Sequence, residues 1–387
     1  MSHCATQIGA RSRPTRTRFI LAAACFTAAL SMAACTAVPP APGQSGPAQG
    51  KSAATAGATS DVATGLDAPW SMVALGDGHL LVSERDSGQI LDVAPDGAKL
   101  VVGTVPGVVH QGEGGLLGLA VRLGGCDGNP EPNPDTGCLD VYAYFTSGSD
   151  NRIVRMPLLG GAGHRSLGAP TVILAGIAKA GNHNGGRLAF GPDGMLYISS
   201  GDAGNSAAAQ DRSSLSGKIL RLTPDGSIPA DNPFPNSPVW SLGHRNVQGI
   251  AWDGQGRMWA SEFGQNTWDE LNEVKAGANY GWPVVEGIGP DPSFTNPVLQ
   301  WTTDEASPSG IAISGTTLYM AALRGERLWV IDLAGTPRAE PRLVGELGRL
   351  RDVALTPDGR LLVLTNNTDG RGTPKAGDDK IVEIPAE

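Results

Sequence analysis

Residues 191–202 read GPDGMLYISSGD: a tight Asp-Gly turn, then a short run rich in β-forming residues. Glycine in such a turn supplies the positive φ that a hairpin needs, and the residues after it suit a strand. The phrase returns as LGDGHLLVSER (75–85), DGQGRMWASEFG (253–264) and TPDGRLLVLTNN (356–367). A weaker copy is ISGTTLYMAAL (313–323), and GCLDVYAYFTS (137–147) keeps the strand without the turn. Anchored on Gly78, Cys138, Gly194, Gly256, Gly315 and Gly359, the copies lie 60, 56, 62, 59 and 44 residues apart. Six such units with no long amphipathic helix between them predict an all-β chain folded as a six-bladed β-propeller. One unit cannot bury both of its faces, so the units must stack around an axis. A β-sandwich with chance turn similarity is the alternative, but sandwiches seldom repeat a phrase at such long, even spacing.

Composition agrees. Of 387 residues 54 are glycine and 29 proline, a turn-rich usage. The formal net charge is −9, although Arg11, Arg13, Arg16 and Arg18 stand in the first 34 residues without any acid. The body is therefore more acidic still, which argues against nucleic acid or an anionic membrane as partner.

The apolar run FILAAACFTAALSMAAC (19–35) behind those arginines reads as an export signal over 1–34. SMAAC resembles the lipobox of bacterial lipoproteins, with Met32 in place of the usual Leu. It predicts acylation of Cys35 and a periplasmic or cell-surface protein that meets the membrane only through that anchor. A secretory signal cleaved after Ala34 is the alternative. Residues 35–60 form a Pro/Gly/Ala/Ser tether, leaving 61–387 for the propeller. Cys126 and Cys138 close a polar, Pro-rich loop and are expected to form a disulfide in an oxidising compartment, with two free thiols as the alternative.

Chemistry belongs in loops just outside the repeated strands. These are HQGEGGLLGLA (110–120), GNHNGGRL (181–188), SLGHRNVQG (241–249), SEFGQNTWDELN (261–272), NYGWP (279–283), AALRGERL (321–328) and GRLRDV (348–353). None has the spacing of a His/Cys metal site, a nucleophile elbow or a phosphate-binding loop. They offer one useful histidine, several arginines suited to carboxylates, and an acidic, carbonyl-rich loop.

The order GGLLGLA, HNGGRLAFGPDG, GKILRLTPDGSIPADNP, LGHRNVQG, WDELN, NYGWP, RLRDVALTPDG closely resembles the soluble glucose and aldose sugar dehydrogenase family over residues 62–387. Those are exported quinoproteins that use pyrroloquinoline quinone (PQQ) and calcium on a six-bladed propeller. The resemblance implies oxidation of the C1 hydroxyl of an aldose to a lactone, with electrons passing to an external acceptor that the sequence does not identify. It makes His183 the general base, a task that suits an imidazole near neutrality. Asp202 would orient that base, while Asn182 stands where the glucose enzyme has an acid. Arg245 and Asn246 would face the quinone, and Arg349 and Arg351, two apart on a strand, would pair with its carboxylates. Arg324 replaces a lysine and Glu113 a glutamine of the glucose enzyme, so Glu113 would need a partner or a proton beside a tri-anion. The active-site calcium would take the backbone carbonyls of Gly264 and Gln265, the latter usually proline. A second ion would take Glu270 and the Tyr280 backbone. Val247 also departs from the family's usual proline. A propeller that has lost the quinone and only binds a sugar or a partner is the rival reading, and Glu113 is its best support.

Overall fold

The computed structural model describes residues 58–124 and 138–385. The export signal, the Cys35 anchor and Cys126 lie outside the described residues, as does all of the tether except residues 58–60. Cys138 is buried just before the strand Leu139–Thr146.

Everything described is strand, turn or loop, apart from one 3-10 turn at Ser206–Ala209. Six antiparallel sheets follow one another along the chain, at 69–104, 116–177, 188–242, 247–302, 308–342 and 350–384. The last holds three strands of its own and takes Ser60–Ala63 as its fourth, so the two ends of the domain are joined in one blade. The first strand of each blade touches the first strands of both neighbours, right around the ring. These strands therefore line the axis, and the fold is the expected six-bladed propeller.

The repeated phrase is the hairpin between the first two strands of a blade. Gly78, Gly194, Gly256, Gly315 and Gly359 all have positive φ, from 59° to 88°. At Gly194 a Cβ would meet nothing within 4 Å, so the backbone angle alone demands glycine. Gly194→Ala is expected to cost about 1 kcal/mol in a urea unfolding experiment.

Burial follows the blades. The six hydrophobic clusters among the described residues each join neighbouring blades, five of them two blades and the sixth, through Trp70, three. Leu81 and Ile90 of the first blade pack with Val141 and Met156 of the second, and Ala321 and Leu328 of the fifth with Val353 and Val363 of the sixth. Val247, the departure noted above, is fully buried in one of these clusters beside Ile250 and Met258, and so serves packing.

Candidate active site

At one mouth of the ring the first strands are irregular. In five of the six the pairing register slips near the strand start, between Pro69 and Ser71, Leu116 and Leu119, Val247 and Gly249, Pro308 and Ile311, and Leu350 and Asp352. Such bulges re-aim side chains. Three residues inside these slips, Trp70, Gln248 and Arg351, line a cavity of about 340 Å³ at this mouth. Arg187, which lines a further cavity among the axial strands, crosses between blades: its Nη1 donates to Asp352 (2.9 Å) and its Nε donates to the Gln248 carbonyl (2.8 Å).

His183 stands on the loop entering the third blade, in left-handed backbone (φ 54°). The odd Asn-His-Asn-Gly-Gly sequence is what this loop requires. Asn184 ties the loop to itself, its amide donating to the Ala180 carbonyl at 2.9 Å while its oxygen accepts the Ala180 N–H at 3.1 Å. Gly185 (φ 65°) passes so close to the end of the neighbouring strand that a Cβ would lie 2.6 Å from Gly201 N. A Cβ on Gly201 would lie 1.9 Å from the His183 carbonyl oxygen. Gly201→Ala is therefore expected to destabilise more than Gly194→Ala and to displace the histidine.

The imidazole Nδ1 lies 2.8 Å from Asp202 Oδ1. That carboxylate also accepts the Gly204 N–H (2.8 Å) and the Trp282 indole N–H (2.9 Å). Burial alone would push the Asp202 carboxyl up, but the bonds from His183, Gly204 and Trp282 hold it below its ordinary range. An ionised Asp202 assigns the proton to Nδ1 and leaves Nε2 with its lone pair, in reach among the described residues only of the exposed Asn182 amide at 3.3 Å.

The cavity is walled by guanidinium groups: Arg85, Arg324, Arg349, Arg351 and Arg371, with Glu113 among them. Arg349 and Arg351 both face the buried Asp369 carboxylate, at 3.2 and 3.8 Å. Burial above all, with Arg349 and Arg85 nearby, pushes Arg351 down to about 9 against the pull of Asp369 and Glu113. Arg324 sits at the exposed rim, paired with Asp304. Arg245 lies to the side, its guanidinium 5.5 Å from the Trp282 ring. Asn246 is fully buried and accepts the Gly185 N–H at 3.0 Å. Three buried donors here, Arg245 Nε, Asn246 Nδ2 and Arg349 Nε, have no acceptor among the described residues. Leaving a buried donor unpaired costs about 1–3 kcal/mol, so the arginines of the two cavities have donor capacity to spare, while Asn246, expected to face a cofactor, lines neither cavity and stands buried behind them.

A second, ion-sized cavity of about 10 Å³ adjoins it, lined by Arg245, Glu262, Gly264, Glu270, Tyr280 and Glu286 among others. Burial, then repulsion from Glu262, pushes Glu270 up to about 8. Glu286 Oε1 accepts the N–H groups of Gln265, Asn266, Thr267 and Trp268 at 2.6–3.2 Å. In a trans peptide the carbonyl points opposite to the N–H. The carbonyls of Gly264, Gln265, Asn266 and Thr267 therefore turn away from Glu286, and they accept no hydrogen bond among the described residues. No group of three or more His, Cys, Asp or Glu among the described residues is arranged to hold a metal, so a cation here would rest largely on carbonyl oxygens.

The residues singled out from sequence thus fall into linked groups. Glu113, Arg324, Arg349 and Arg351 share the large cavity, and Arg245, Gly264, Glu270 and Tyr280 share the small one, with Phe263 on both. His183 and Asp202 connect them, since the His183 N–H bonds Glu113 and the Asp202 N–H bonds the Arg245 carbonyl. Gln265 lines neither cavity and enters only through its backbone. Sequence reasoning did not single out Arg85, Glu262 or Glu286, and it reached Asp369 and Arg371 only through the stretch TNNTDGRGTPKAGDDKIVEI (365–384), which reads as closing the final blade near the cofactor. The register of the repeat held a signal for one of them, because Arg85 follows its LLVSE strand as Phe263 follows MWASE.

The chain belongs to the glucose/sorbosone dehydrogenase family, whose "Glucose / Sorbosone dehydrogenase" model matches residues 66–373. It is 52% identical to the aldose sugar dehydrogenase of Streptomyces coelicolor, solved in its PQQ-bound form, with a TM-score of 0.78 over 85% of this chain and 98% of that one. It is 31% identical to the aldose sugar dehydrogenase YliI of Escherichia coli, over 79% of this chain and 89% of that protein. With quinoprotein glucose dehydrogenase B of Acinetobacter calcoaceticus it shares 32% identity, over 60% of this chain and 54% of that protein. Family membership places it among sugar oxidoreductases.

Proposed function

We propose that the protein is a PQQ- and calcium-dependent aldose dehydrogenase that oxidises the C1 hydroxyl to a lactone. One observation carries this reading: an Asp-oriented histidine is hydrogen-bonded to Glu113 on the wall of an arginine-lined cavity, beside buried guanidinium and amide donors that have no acceptor among the described residues. A ligand with three carboxylates and an ortho-quinone is rich in the acceptors those donors lack. Arg349 and Arg351 would hold carboxylates through their planar forks, Arg245 and Asn246 the quinone end, and Arg324 would add charge at the rim. When bound, the quinone supplies the hydride acceptor and calcium the electrophile that polarises it.

The chain's own part is proton chemistry and placement. His183 Nε2, with Nδ1 fixed on Asp202, takes the proton of the C1 hydroxyl once substrate displaces the Asn182 amide. Asp202 stays ionised and stabilises the imidazolium that results. Glu113, which favoured the non-catalytic alternative, is paired with Arg371 and no longer supports it.

Calcium would sit on the Gly264 and Gln265 carbonyls, with a second ion beside Glu270 and Tyr280. In about hundredfold excess over its Kd, it should stabilise the protein by about 2.7 kcal/mol, a Tm gain of roughly 5 °C. A chelator should reverse the gain and Glu270→Gln should remove part of it; no shift at millimolar calcium counts against the ion.

The enzyme itself is tested by reconstituting purified protein with PQQ and calcium and following dye reduction with a panel of aldoses. Lactone formation is expected. Bound quinone with no dye reduction by any aldose would reject the activity.

A further inference from the structure

We propose that Glu113 is a positioning residue for His183, and that Arg371, reaching over from the closing blade, cancels its charge so that it can stand beside a polyanionic cofactor. The inference rests on the reading of this mouth as a quinone site.

Glu113 Oε2 accepts the His183 N–H at 2.9 Å, and Oε1 lies 2.8 Å from Arg371 Nη1. The Glu113 N–H also donates to the Gly181 carbonyl at 2.9 Å, so the two loops are joined twice. Their contact is close: a Cβ on Gly112 would lie 2.2 Å from the Gly181 oxygen. His183 needs this support because left-handed backbone is unfavourable for a residue with a Cβ and persists only where its surroundings hold it. The Glu113 carboxylate supplies the acceptor that fixes the histidine's own amide, while Asp202 fixes the ring.

Charge is the second half of the argument. Burial alone would push the Glu113 carboxyl up, but the His183 amide and Arg371 hold it below its ordinary range, so it stays an anion on the cavity wall. An uncompensated anion there would repel an anionic guest. Arg371 supplies the compensation, and its own N–H is held by Asp369 Oδ1 at 2.9 Å. The loop between Thr365 and Ile381 thus delivers a negative group to Arg349 and Arg351 and a positive group to Glu113.

The test is a variant set read by absorbance titration with PQQ in calcium and by steady-state kinetics. Arg371→Gln should weaken quinone uptake about tenfold, and the double variant Glu113→Gln/Arg371→Gln should recover most of that loss. Glu113→Leu should lower kcat at least about tenfold although quinone uptake is undiminished or tighter and the sugar KM changes little. Glu113→Gln keeps an acceptor for His183 and should recover most of that kcat. Unchanged uptake in Arg371→Gln, or a double variant no better than the single, overturns the charge compensation. Equal kcat for the Gln and Leu variants at 113 overturns the positioning role. A wild-type protein that takes up no quinone overturns the functional reading and this inference with it.

Discussion

His183→Ala should lose about 10³-fold in kcat and still take up PQQ with wild-type affinity. A positioned general base contributes roughly 10²–10⁴-fold. The middle of that range is expected because the Asp202 contact fixes both tautomer and ring orientation. No other histidine is in hydrogen-bond contact with this loop among the described residues: His244 is buried against Glu262 and His110 pairs with Asp86 near the rim. Cofactor affinity should hold because the cationic donors sit on Arg245, Arg349 and Arg351, and the loop backbone is fixed through Glu113 and Gly201. Stopped-flow reduction of the loaded enzyme by an aldose, paired with an absorbance titration, separates the two effects. A variant that turns over normally would show that another group takes the proton.

Arg349→Ala should weaken PQQ uptake about 100-fold, equivalent to about 2.7 kcal/mol. The residue suits this test because its Nε has no acceptor among the described residues and its Nη2 bond to Asp369 is a modest 3.2 Å. Arg351 is more deeply committed to the fold, donating to Asn366 and Gln248 at 2.8–3.1 Å, so its loss would mix folding with binding. Arg349→Lys should fall between wild type and alanine, since an ammonium keeps the charge and loses the fork. An alanine variant with unchanged uptake would mean that the cationic wall does not hold the cofactor.

How much of this could be read from the chain depends on how local each feature is. The blade hairpins were legible because Gly78, Gly194, Gly256, Gly315 and Gly359 answer a purely local demand for positive φ. His183, Arg245, Arg349 and the carbonyl loop stand inside long motifs, so a family resemblance could find them. The bulges that aim Trp70, Gln248 and Arg351 at the axis depend on pairing with a neighbouring strand and leave no local mark. Glu286 reaches back 21 residues to cap the loop at Gln265, and Arg371 crosses to another blade to meet Glu113. Such pairings exist only once the ring has closed. The suspicion that Glu113 needs a partner was readable; the identity of that partner was not.

The most direct test of the central claim, that this mouth holds a polyanionic redox ring beside His183, is an absorbance titration of calcium-loaded wild-type protein with PQQ. One equivalent should saturate it with a spectral shift, and the same titration of Arg349→Ala should need about a hundredfold more quinone to reach it. A spectrum that stays that of free quinone at every ratio, in protein already saturated with calcium, would contradict the account.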